Sequence, residues 1–419
     1  MSTTDSLKMA ENSSARDLPD APAYGFRGKV TKNVLARILR KVPVTAKLPG
    51  GVTYGGGRSA TEPAIVIAQP QRFFARLGKS PMIGLGESYM AGEWRADDHT
   101  DLADALAPFA ARLTELIRPT FYRLRHVVLP RELSSEENSV DGARKNIHRH
   151  YDLSNEMFSQ FLDPSLSYSS ALFPALDHPP ALSDVEAAQL AKTDAILDAA
   201  KVGEGTRLLE IGTGWGTLAI RAAQRGAKVT TLTISEQQAA LAQQRVDEAG
   251  VSDSVEIALR DYRDQTGKFD AVVSVEMIEA VGERYWPTYF RKIDSLLAPG
   301  GKAAIQAILL EHHRMVATRN TYTWIHKYIF PGGLLPSTEA IQGVLAEHTS
   351  LKVSRIEQMG QHYAHTLRLW REQFLSNWPH VQSLGFDETF RRMWEFYLAY
   401  CEAGFRTRYL NVAQITIDR

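Results

Sequence analysis

The chain has 419 residues and 46.7 kDa, more than one ordinary core encloses, so two domains of about 100 to 200 residues are expected. With 44% hydrophobic and 23% charged residues, and 48 Lys+Arg balancing 48 Asp+Glu, the composition excludes a highly charged disordered chain and a uniformly basic nucleic-acid binder. A polar start, Met1 to Asp20, and no run near the roughly 18 apolar residues of a spanning helix predict a cytoplasmic protein, neither exported nor inserted in a membrane.

Residues 1–22 read as a disordered tail and 23–130 as a small mixed N-terminal domain. From Ala21 to Thr61 there is no Asp or Glu, while Arg27, Lys29, Lys32, Arg37, Arg40, Lys41, Lys47 and Arg58 all fall there. At helical period Val34, Leu35, Ile38, Leu39 and Val42 share one face, with Lys29, Lys32, Arg37, Arg40 and Lys41 over the other. That pattern fits an amphipathic helix on an anionic membrane surface. It also fits a surface helix with a core face and a solvated basic face, the commoner case, and both readings stay open. Gly50 to Gly57 and Ala64 to Ala68 read as turns and strands, and Leu102 to Leu116 as a helix. Ser134 to Gly142, polar and without apolar period, places a linker at 131–143.

The second domain, 144–419, alternates strand and helix. Ser183 and Glu186 have capping-box spacing for a helix reaching about Ala200, and Arg207 to Ile211 is a short apolar strand ending in glycines. A helix from Thr217 to Arg225, a strand from Lys228 to Ile234 and a helix from Glu236 to Ala249 continue the series. Strands at Val255 to Leu259, Ala271 to Val275 and Ala303 to Ala307 complete an α/β pattern on a parallel sheet. After a helix near Glu388 to Ala403, Leu410 to Ile417 alternates apolar and polar residues. It is expected as a last strand, antiparallel at the far side of the sheet.

Glu210-Ile211-Gly212-Thr213-Gly214-Trp215-Gly216 stands where the first strand hands over to a helix, and glycines there let the backbone approach a ligand. The full G-x-G-x-x-G spacing is missing, and no acidic residue closes the strand at Leu232-Thr233-Ile234, which argues against a dinucleotide site. Asp261-Tyr262-Arg263, after a later strand, is placed to grip an adenine. The histidines, His148, His150, His312 and His313 among them, give no metal spacing with matched carboxylates, and no metal is expected.

In chain order, Tyr151-Asp152-Leu153-Ser154-Asn155, Tyr168-Ser169, the glycine loop, Leu232-Thr233-Ile234-Ser235 with Gln238, Asp261-Tyr262-Arg263-Asp264, Val275 to Gly282, Lys327-Tyr328-Ile329-Phe330-Pro331 and Leu335-Pro336-Ser337 resemble the cyclopropane-fatty-acid synthases. The resemblance covers Arg144 to the end and reaches back to Gly84-Leu85-Gly86-Glu87-Ser88-Tyr89-Met90. It implies a Rossmann-like class I methyltransferase domain with a smaller mixed N-terminal domain. It further implies methylation of acyl-chain alkenes, commonly in a membrane phospholipid, with S-adenosylmethionine. By position, it places Tyr168, Ser169, Gly212, Gly214, Gly216, Thr233, Ile234, Gln238, Tyr262 and Arg263 around that cofactor. Glu210 stands either near its amino-acid end or as an orienter of the loop.

An isolated alkene is a poor nucleophile, so such an enzyme must align it with the methyl donor, exclude water and protect the resulting carbocation. Tyr285, Trp286, Tyr289, Tyr322, Trp324, Tyr328 and Phe330 concentrate aromatic surface downstream of the cofactor site, as cation-π support, channel wall or plain core. The cation is quenched by proton loss. For that step the resemblance implies a bicarbonate ion held at positions that are here Ser170, Glu279, Gln306, Ile308 and Tyr363. Typical relatives have Cys at Ser170, His at Gln306 and Glu-His where this chain has Glu279-Ala280. Gln donates a hydrogen bond to an anion but carries no proton or positive charge, so bicarbonate and base stay open. Cys401 corresponds to a family cysteine sometimes assigned as a nucleophile. As the alkene itself attacks the methyl, a buried structural thiol is the simpler reading, and a lone cysteine fits a reducing compartment.

Glu279-Ala280 and Gln306-Ala307-Ile308 resemble an actinobacterial subgroup making 10-methylene precursors of 10-methyl (tuberculostearic-type) acids. The implied partners are a phospholipid acyl substrate and the anionic inner face of the membrane, with a homodimer and a product-consuming reductase left open. Alternatives are a cyclopropane synthase on the same substrate and a non-catalytic lipid-binding protein.

Overall fold

In the computed structural model the described residues are 18–56, 62–116 and 154–419. Most of the expected tail, Arg58, the linker 131–143, the expected boundary at residue 144, His148, His150 and Tyr151-Asp152-Leu153 lie outside them.

The chain divides into two compact units. The first joins N-terminal residues with Asn320–Pro331 and Trp378–Thr407, so two segments expected within a contiguous 144–419 cluster with the N-terminal part. Buried polar contacts explain this. Glu87, inside the Gly84 to Met90 motif, accepts from Lys327 Nζ at 2.5 Å and from the Tyr328 hydroxyl at 2.8 Å. Its other oxygen lies 3.7 Å from buried Arg76, whose Nε donates to Glu93 at 2.9 Å. Stranding any of these charges in the core would cost several kcal/mol, about 3 to 5 for a broken buried pair, so segments far apart in sequence stay joined.

A small sheet in this unit has the order β2-β1-β3-β4, with β1 at Thr45–Lys47, β2 at Thr53–Tyr54, β3 at Ala64–Val66 and β4 at Arg95–Ala96. The basic segment forms the helix Phe26–Leu39. The face expected to be apolar divides. Leu39 and Val42 enter the core, while Val34 turns outward in line with Phe26 and Val30, leaving them 46%, 81% and 43% exposed.

The second unit is built on a seven-stranded sheet. Strands β5 (Arg207–Ile211), β6 (Lys228–Thr233), β7 (Val255–Leu259), β8 (Phe269–Val275) and β9 (Leu297–Leu310) are parallel. β10 (Lys352–Gln358) and β11 (Leu410–Asp418) add antiparallel pairings, and the order is β10-β11-β9-β8-β5-β6-β7. The interior strands are apolar on both sides, as strands covered on both faces must be. Leu209, Ile211, Val272 and Ile305 pack toward the helix Trp286–Leu296, and Leu208, Val229, Ala271 and Val273 toward helices Val185–Ala199 and Thr217–Gln224. The last strand was expected at the sheet's far side. It lies instead between β9 and β10, and the charged β10 takes the edge. The Ser183-Glu186 capping box does not form; a 3-10 turn precedes the helix, and Asp184 accepts from the Ala181 amide at 2.9 Å. Among the described residues no helix is long and apolar enough to cross a membrane.

Candidate active site

Ligands of open parallel sheets bind beyond the carboxyl ends of the strands, and a cavity lies there, at the ends of β5, β6 and β8. After β5 the chain turns through Gly212, Gly214 and Gly216, with φ of 101°, 52° and 89°. The two later glycines differ in role. A Cβ on Gly214 meets no heavy atom within 4 Å and would stand in the cavity, while one on Gly216 would meet Ala242 Cβ at 3.3 Å. Gly214 keeps room for a ligand, and Gly216, the one expected cofactor residue off the cavity wall, keeps room for the helix Glu236–Glu248.

The remaining expected cofactor residues line this cavity. Tyr168 and Ser169 form one wall, Thr233 ends β6, and Ile234 and Gln238 follow it. Thr233 Oγ1 donates to Gln238 Oε1 at 3.1 Å, and Ser235 caps the helix by accepting from the Gln238 amide at 3.3 Å. Across from them Asp261 holds the Arg263 guanidinium at 2.8 and 2.6 Å, beside the Tyr262 ring. Burial pushes the Tyr262 hydroxyl up to about 12.

Glu210 accepts from Thr231 Oγ1 at 2.6 Å, and Thr231 bridges to Thr213 of the loop at 2.8 Å. This favours the loop-orienting role, and burial pushes its carboxyl up to about 8. Lys192, which sequence reasoning missed, also lines the cavity and donates to Ser169 Oγ at 2.8 Å; burial lowers its ammonium to about 8. Its signal was that Gln189, Lys192 and Thr193 share one helix face with the apolar Val185, Ala188, Ile196 and Leu197.

The second missed residue is Glu276. It follows the last residue of β8, has a φ of 49° and lines the cavity. Three residues expected around an anion converge on it: the Ser170 amide at 2.9 Å, Gln306 Nε2 at 2.7 Å and the Tyr363 hydroxyl at 2.8 Å. Glu279 lies three residues on. One of its oxygens accepts from the Ile308 amide, and the other is buried without a partner among the described residues. Parts of both residues remain accessible, but their carboxyl groups are enclosed, and burial raises both. The three donors and Lys192 favour the ionised form of Glu276, whose charge helps push Glu279 up to about 8.

The aromatic set expected downstream divides: the Tyr285 ring stands 6.0 Å from the Arg263 guanidinium on the cavity wall. Trp286 and Tyr289 belong to the sheet's core, and Tyr322, Trp324, Tyr328 and Phe330 fall in the other unit. The rings beside the acids are others: Tyr168 stacks on Trp370 at 5.4 Å, and Tyr363 meets Trp370 edge-on at 6.1 Å. Cys401 also falls in the other unit, on the helix Glu388–Arg406, where burial pushes its thiol up to about 12, the opposite of an activated nucleophile.

A family model described as mycolic acid cyclopropane synthetase matches residues 138–415. The tuberculostearic acid methyltransferase UfaA1 of Mycobacterium tuberculosis is 47% identical over 96% of this chain and 94% of its own. The cyclopropane-fatty-acyl-phospholipid synthase of Escherichia coli is 34% identical over 86% of this chain and 89% of its own. A crystal structure of mycolic acid cyclopropane synthase CmaA1 complexed with SAH and CTAB superposes with a TM-score of 0.60 at 30% identity, covering 66% of this chain and 98% of that one.

Proposed function

The chain belongs to the mycolic acid cyclopropane synthetase family and is an S-adenosylmethionine-dependent methyltransferase; we propose that its acceptor is the double bond of an oleoyl-like chain esterified in a phospholipid, and its product a 10-methylene chain. When bound, S-adenosylmethionine supplies an electrophilic methyl group. The open space at Gly214 fits it, and Tyr168, Ser169, Thr233, Gln238 and Tyr262 would hold it.

One observation carries the reading: the cavity at the glycine loop is also lined by a carboxylate, Glu276, with Tyr168, Trp370 and Tyr363 in ring-to-ring contact beside it. An alkene attacking a methyl group becomes a carbocation, and electron-rich rings in a dry site stabilise a cation by roughly 2 kcal/mol each. A proton must then leave, and an enclosed carboxylate accepts it. The relationship to a tuberculostearic acid methyltransferase favours the methylene product over the ring. The full chain should release S-adenosylhomocysteine with dioleoyl phospholipid vesicles and not with distearoyl ones. Equal release from both would contradict an alkene acceptor.

We also propose that the enzyme meets its substrate at an anionic membrane surface, on the cytoplasmic face. Exposed Phe26, Val30 and Val34, spaced four apart on one helix face, stand among exposed Arg27, Lys29 and Arg37. This arrangement suits insertion of apolar side chains between anionic headgroups.

A further inference from the structure

We propose that Glu276 is the proton acceptor of this reaction, a carboxylate built into the chain where the family resemblance calls for a bicarbonate ion. The inference rests on the reading of the enzyme as an alkene methyltransferase and names the residue that completes its chemistry.

The fit of bicarbonate fails on the donors. The Ser170 amide, Gln306 Nε2 and the Tyr363 hydroxyl already point at Glu276, and the Ile308 amide points at Glu279. A further anion would enter an enclosed space beside the Glu276 carboxylate, where like charges repel strongly. Gln306 is also set for this partner. Gln414 Nε2 donates to Gln306 Oε1 at 3.2 Å, which turns the Gln306 amide nitrogen toward Glu276. At a bicarbonate site the replacement of His by Gln loses a cation; beside a fixed carboxylate, Gln supplies the one donor required.

The geometry suits a base. An ionised carboxylate has about four lone-pair sites. Oε1 uses two, for Ser170 and Gln306, and Oε2 uses one, for Tyr363. One acceptor direction on Oε2 remains unused among the described residues, on a side chain that lines the cavity. The left-handed backbone at Glu276 is costly for a residue with a Cβ, on the order of 1 kcal/mol or more, and such strain persists where surrounding contacts demand the position.

The step balances without a redox partner. In the cation first formed the charge lies on the carbon beside the methylated one; a hydride moves across with its electron pair and leaves the charge on the methylated carbon. A C–H bond of the added methyl then breaks, its electron pair becomes the exocyclic C=C bond, and the proton forms an O–H bond on Glu276. Closing a cyclopropane ring would use the same base, with the pair forming a C–C bond.

The test compares the full chain with Glu276→Gln and Glu276→Gly, with S-adenosylmethionine affinity by calorimetry as the control for folding. Wild-type turnover should be the same in carbonate-free buffer and with added bicarbonate. Glu276→Gln should keep its cofactor affinity and lose turnover by about 100-fold or more. Glu276→Gly, which suits the left-handed backbone, should be equally slow and should recover on adding formate. Bicarbonate-dependent wild-type turnover, a Gln variant within a few-fold of wild type, or a Gly variant indifferent to formate would overturn the proposal. A wild type that turns over nothing would instead sink the broader functional reading.

Discussion

The hydroxyl of Tyr363 donates to Oε2 of Glu276 at 2.8 Å, joining the helix Gly360–Ser376 to the end of β8. Burial raises the Glu276 carboxyl, and its three hydrogen bonds pull it back down. A base works only when ionised, so its activity is lost as pH falls through its pKa.

Tyr363→Phe removes one of those donors and raises that pKa. The acid limb of the kcat profile should therefore move to higher pH, with turnover lost more heavily at pH 6 than at pH 9. Tyr363 acts here through Glu276 as a positioning residue. An equal loss at every pH would deny this link.

Gly214 and Gly216 should fail in different ways. Gly214→Val fills cavity space and should abolish S-adenosylmethionine binding in calorimetry while the protein still unfolds cooperatively. Gly216→Val presses on Ala242 and should lower stability by about 1 to 3 kcal/mol. Intact affinity in a folded Gly214→Val would remove the loop from the cofactor site.

Glu210 and Glu279 each stand at about 8 against an ordinary value of 4.5. The folded state therefore binds more protons, and stability present below pH 4.5 is lost as pH rises through 8. Thermal scans of the ligand-free protein should show stability falling from pH 5 to 8, by up to about 1.4 kcal/mol per pH unit per carboxyl. Glu279→Gln should flatten that slope. Above pH 8 Lys192, held below its ordinary 10.5, acts in the opposite sense.

At the membrane, replacing Phe26, Val30 and Val34 with Ser, or reversing Lys29 and Arg37, should weaken binding to anionic vesicles. Each basic contact is worth about 1 kcal/mol and is screened by salt. Cofactor affinity should not change. Unaltered vesicle binding at low salt would assign this helix a purely structural role.

The glycine loop was legible because strand, turn and helix are local and each has its own residue signal. Glu276 was not, although it lies inside a motif that was read, because its partners Ser170, Gln306 and Tyr363 come from distant segments. A carboxylate just past the end of a parallel strand was the available signal. The alternation of Leu410 to Ile417 revealed a strand but not its neighbour, since β10 carries Lys352, Arg355 and Glu357 and reads as polar. Such charges protect a sheet edge. Helical period found the basic helix, but it could not tell that Val34 belongs with Phe26 and Val30 outside.

Methyl transfer into an unsaturated acyl chain is tested most directly by supplying methyl-13C S-adenosylmethionine and dioleoyl phospholipid vesicles to the full chain, then recording the 13C spectrum of the released fatty acid. The label should appear as an exocyclic methylene carbon on the former double bond. Label in a cyclopropane carbon would contradict the proposed product, and an unlabelled chain would contradict the transfer itself.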